Sequence, residues 1–86
     1  MQSPETFTET QDWERQLRPG VRLLRVHNTL WRVIRPGGEV LGYLEQFPSP
    51  GGHRFRAKRL VPRQSRFVIV GEFWSADDAV ESLRSS

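Results

Sequence analysis

The stretch LWRVIRPGGEVLGYLEQF, residues 30–47, decides the fold. Two runs, Leu30 to Arg35 and Glu39 to Phe47, flank Pro36-Gly37-Gly38, and glycines there supply the positive φ of a tight hairpin turn. Pairing across Gly37-Gly38 sets Arg35 opposite Val40, Val33 opposite Gly42 and Trp31 opposite Leu44. Opposed residues share a face, so Trp31, Val33, Val40 and Leu44 make one side apolar. Arg32, Ile34, Leu41, Tyr43 and Glu45 fall on the other side.

Toward the C-terminus, Pro48-Ser49-Pro50-Gly51-Gly52 is a loop by composition. His53 to Val61 (HRFRAKRLV) alternates, with Phe55, Ala57 and Val61 pointing one way and Arg54, Arg56 and Lys58 the other. Pro62 to Ser65 makes a turn, and the apolar run at Arg66 to Val70 (RFVIV) suits a buried strand. Ser75 then marks a helix start: Asp78 stands three residues on, as in a capping box, and Asp77 and Asp78 complement the helix dipole. Trp74 is placed to staple onto Ala79, and Ala79, Val80 and Leu83 form the stripe that covers the sheet.

Toward the N-terminus, Val21 to His27 is a further candidate strand, broken by Asn28-Thr29, and its membership of the sheet stays open. Trp13 and Leu17 share a face of a possible short helix from Thr10 to Arg18, which Pro19-Gly20 ends. Residues 1–9 have no periodicity and are expected to be mobile. The expectation is an α+β fold: an antiparallel sheet of three to four strands with a C-terminal helix on one face. Residues 1–20 form an acidic lead-in and residues 21–86 the single domain.

A chain of 86 residues has room for one core. With no cysteine, disulfide frameworks, zinc ribbons, iron–sulfur sites and thiol catalysis drop out together. The longest apolar runs are four residues, far below the roughly 18–20 a membrane span needs, and the polar, acidic N-terminus is unlike a signal peptide. A soluble cytoplasmic protein is expected.

Charge is segregated along the chain. Residues 1–14 carry Glu5, Glu9, Asp12 and Glu14 with no basic residue, a sum of −4. Residues 15–66 carry eleven arginines and Lys58 against Glu39 and Glu45, a sum of +10. Residues 67–86 sum to −3, so the net +3 conceals a basic middle suited to a polyanion. The bland reading, the arginine bias of a GC-rich genome, would explain twelve arginines to one lysine but not the separation of the charges.

Gly71-Glu72-Phe73 leaving the last strand and Ser75-Ala76-Asp77-Asp78-Ala79 opening the helix carry a resemblance. In pattern they are similar to the closing segments of integrase arm-binding domains and of ethylene-response-factor type DNA-binding domains. Both families fold as a three-stranded sheet closed by one helix. The closing motif also resembles that of small actinobacterial proteins, a likeness that brings no mechanism with it. The first two families lay the sheet in the major groove of DNA. That resemblance implies nucleic-acid contacts at Arg32, Tyr43, Arg54, Arg56 and Lys58. The long acidic lead-in and the proline-rich loop depart from the pattern.

The residues point the same way. Cations at every second position of one strand stand about 7 Å apart, close to phosphate spacing, and Tyr43 can stack on an unpaired base. An ordinary solvated outer face would also be polar. The expected function is non-catalytic nucleic-acid binding, with duplex DNA favoured over RNA and no cofactor. The acidic N-terminus is expected to fold back over the basic face. The alternative is a protein-interaction adaptor or homodimer, with exposed Ile34 and Leu41 joining Trp13 as the partner surface; the other role open to Trp13 is to anchor the lead-in over the sheet. A third reading starts from Gly51-Gly52-His53, which resembles the Gly-Ser-His entry of small ribonuclease toxins with the serine missing. It would make His53 a general base. No phosphate loop, nucleophile elbow or dinucleotide motif is present, and His27 and His53 lack carboxylates at ligand spacing, so neither enzyme nor metal site is expected.

Overall fold

The computed structural model describes residues 12–15 and 20–85. The elements run α1 (Asp12–Arg15), β1 (Arg22–His27), β2 (Leu30–Ile34), β3 (Val40–Ser49), β4 (Gly52–Val61), a 3-10 turn (Pro62–Gln64), β5 (Arg66–Phe73) and α2 (Ala76–Ser85). The strands form one antiparallel sheet in the order β1-β2-β3-β4-β5, so each pairs with its neighbour in sequence. The α+β class and the C-terminal helix are as expected. The strand count is not, because β1 pairs with β2 and brings the sheet to five.

The central hairpin closes as a three-residue loop: the Gly38 N–H donates to the Arg35 carbonyl (2.8 Å) and the Arg35 N–H to the Glu39 carbonyl (2.8 Å). Of its two glycines only Gly38 takes a positive φ, +99°. Trp31 faces Leu44 and Val33 faces Gly42, as the turn implied, but the last rung joins Ile34, not Arg35, to Val40. The extra residue is Leu41, a β-bulge that turns its side chain into the core. Leu41 is therefore buried, at 7% exposure, and Ile34 is buried as well, at 8%, where the alternating pattern placed both outside.

The helix face of the sheet carries Trp31, Val33, Leu44, Phe55 and Ala57, and α2 lays Ala76, Ala79, Val80 and Leu83 over them. Ser75 caps the helix, its hydroxyl accepting from the N–H groups of Asp77 (3.1 Å) and Asp78 (3.3 Å). Trp74 does not staple onto α2; it is 59% exposed and lies under Arg54.

Trp13 completes the core. Its ring meets Trp31 and Phe55 edge-on at centroid distances of 4.8 and 5.0 Å. Next to it, Glu14 accepts a hydrogen bond from Trp31 Nε1 (2.8 Å) and pairs with Arg25 (3.5 Å). Trp13 thus anchors the lead-in on the helix side of the sheet, one of its two expected places; the other, a partner surface with exposed Ile34 and Leu41, is corrected, since both of those side chains are buried. Leu17 and residues 1–11 lie outside the described residues. Of the lead-in, Glu14 sits on the helix face and not over the basic one.

Candidate nucleic-acid interface

Register alone assembles the opposite face. Arg32 pairs with Tyr43, Tyr43 with Lys58 and Lys58 with Ile69, which makes one rung across four strands. The next outward-facing rung runs Leu30, Glu45, Arg56, Glu72, and beyond it Phe47 pairs with Arg54. The five residues nominated from sequence, Arg32, Tyr43, Arg54, Arg56 and Lys58, therefore share the helix-free face.

Each of the four cations lies over an aromatic ring. The distances from charge to ring centroid are 5.8 Å for Arg32 over Tyr43, 4.8 Å for Lys58 over Phe67, 4.2 Å for Arg56 over Phe47 and 4.9 Å for Arg54 over Trp74. Tyr43 and Phe67 also meet edge-on at 5.1 Å. A cation over a ring face is held by the ring's quadrupole while its outer side stays in solvent.

The cations differ in their ionic partners. Arg56 bridges two carboxylates, Glu72 at 2.9 Å and Glu45 at 3.0 Å. The hydrogen bond to Glu72 pushes the Arg56 pKa up, desolvation opposes it, and the bond to Glu45 adds to the rise. Lys58 reaches Glu45 at 3.4 Å. Arg54 donates to the Glu72 carbonyl (3.2 Å), and its buried Nε has no hydrogen-bond partner among the described residues. Arg32 has no carboxylate partner among them. With four cations against Glu45 and Glu72, the center of the face carries +2, less than the charge of the whole basic segment suggests.

Three rings of this face were not foreseen. Phe67, in the run expected to be a buried strand, and Trp74, expected to staple onto Ala79, are 42% and 59% exposed, and Phe47 had no assigned place. The cause at Phe67 is a second bulge: Ala57 pairs with Gly71 but Lys58 with Ile69, so Val70 is extra. Without it, Phe67 and Ile69 would share the inward side of Gly71 and Phe73; with it they face out.

Beyond Tyr43 and Lys58, the last rung joining β3 to β4, a cleft of about 340 Å³ opens beside Tyr43. Val40, Leu41, Leu60 and Pro62 supply its apolar lining. His27 and His53 are both exposed on the surface, and no group of three His, Asp or Glu residues forms a metal site among the described residues. No described helix is long and apolar enough to cross a membrane. Compared with family models, with curated proteins and with solved structures, the chain matches none.

Proposed function

We propose that the protein binds nucleic acid, without catalysis, through the helix-free face of its sheet, and that it takes unpaired bases in preference to a duplex. The observation that carries this reading is the set of four cation-over-ring pairs on one face. Bases in a single strand can stack on exposed rings while neighbouring cations follow the phosphates. A duplex offers a sheet only base edges and phosphates, which call for arginines free to fork onto them. Arg56 is already held by two carboxylates, so this face suits stacking better than major-groove reading. That shifts the preference away from duplex DNA. The apolar cleft beside Tyr43 adds room for one base turned out of a stack.

Fluorescence anisotropy with labelled single-stranded RNA, single-stranded DNA and duplex DNA, at low and physiological salt, tests the proposal. Tyr43→Ala and Phe67→Ala should each weaken single-strand binding about tenfold, within the roughly 1–3 kcal/mol that a stacked base contributes. The Arg54→Glu/Arg56→Glu pair should abolish binding. If the duplex binds best and both ring variants are silent, stacking is excluded. If nothing binds at low salt, the nucleic-acid reading fails.

A further inference from the structure

β5 is an edge strand: it pairs with β4 on one side and with no strand on the other among the described residues. Edge strands ordinarily carry a charge or a proline that discourages pairing with another chain. Phe67 to Gly71 (FVIVG) contains neither. The run has the composition of an interior strand, yet Phe67, Val68 and Ile69 are all more than a third exposed. From Arg66 to Ile69 the pairing with β4 is regular, and the bulge comes only after it. Phe67 and Ile69 point to the outer face and Val68 to the helix side, so this edge is apolar on both faces.

We propose that β5 pairs antiparallel with β5 of a second copy about a two-fold axis at Val68, joining two sheets of five strands into one of ten. In this register Phe67 lies opposite Ile69 of the second copy, twice over, and Val68 lies opposite Val68. Antiparallel pairs that set an aromatic against a branched aliphatic residue are favourable. Charge favours the same orientation. Arg63 and Arg66 mark the start of β5 and Glu72 its end, so the two-fold runs each basic end along the acidic end of the other copy. A parallel arrangement would bring like ends together. A single patch that complements itself is what a two-fold interface requires. The contact does not depend on nucleic-acid binding, although it would place two ring-and-cation faces on one continuous surface.

Light scattering coupled to size exclusion should show the mass rise from 10.0 kDa toward twice that value as concentration increases. Ile69→Lys, an exposed position, should return the protein to monomer with its circular dichroism unchanged. A chain without cysteine allows a sharper test. Directly opposed Cα atoms of an antiparallel pair stand about 4.5–5.5 Å apart, within the range a disulfide spans. Val68→Cys should therefore oxidise to a covalent dimer about tenfold faster than the exposed control Val40→Cys, through the raised effective concentration at the axis. A native chain that stays at 10.0 kDa, with both thiols oxidising at equal rates, overturns the proposal. So does a dimer that survives Ile69→Lys, because its interface then lies elsewhere.

Discussion

A Cβ built on Gly42 would stand 2.6 Å from the Lys58 carbonyl oxygen and 2.8 Å from Leu83 Cδ2, where β3, β4 and α2 converge. The first neighbour is backbone and cannot move aside. Gly42→Ala should therefore lower stability by about 1–3 kcal/mol, the usual cost of overpacking, and appear in urea unfolding as a lower midpoint at unchanged slope. Position 42 was legible only as the partner of Val33; that it lies beneath Leu83 is a fact of tertiary packing, which no local pattern encodes. Arg56 shows the same limit. Glu45 was visible on its face from the hairpin register, but Glu72 sits 16 residues away along the chain, and only the β4–β5 pairing sets it across from Arg56. The pKa rise of Arg56 follows from both carboxylates. Because its pKa is raised on folding, its stabilisation is present throughout the neutral range and is lost only in strong alkali.

Among the elements, α2 was the most legible, because its signals are local: a capping serine, two aspartates in the first turn, and apolar residues spaced for one face. Ser75→Ala removes the acceptor for two backbone N–H groups and should cost about 1 kcal/mol, measured as a shift of the urea midpoint. The strands were legible where they alternate and failed at the bulges in β3 and β5. One extra residue reverses the facing of everything beyond it, so Leu41 turned inward and Phe67 outward against a simple period of two. The composition of RFVIV identified a strand, but its apolar residues on both faces describe an interior position, while the chain order places it at an edge. Trp13 stood out as an aromatic in an acidic lead-in. Its docking against Trp31 and Phe55 is a tertiary contact, which no local pattern encodes.

For the whole molecule, the balance between basic residues and their carboxylate partners sets how strongly the outer face attracts a polyanion. Glu45 and Glu72 hold Arg56, and Glu45 also holds Lys58. The Glu45→Gln/Glu72→Gln pair should strengthen single-strand binding severalfold and steepen its salt dependence, since two negative charges leave the face and two cations become available to phosphate. Anisotropy titrations at several salt concentrations would read both effects; unchanged affinity and slope would place binding off this face. The order of the strands carries a different consequence. Every strand is joined to its spatial neighbour by a short connection, so the sheet can grow outward from the central hairpin one ladder at a time. Such a chain closes small loops before large ones, which favours a fast route to the native state. The contacts of Trp13 with Phe55 and of α2 with β3 bridge far longer stretches of chain than any hairpin does, so both ends of the domain dock onto ladders that close before them.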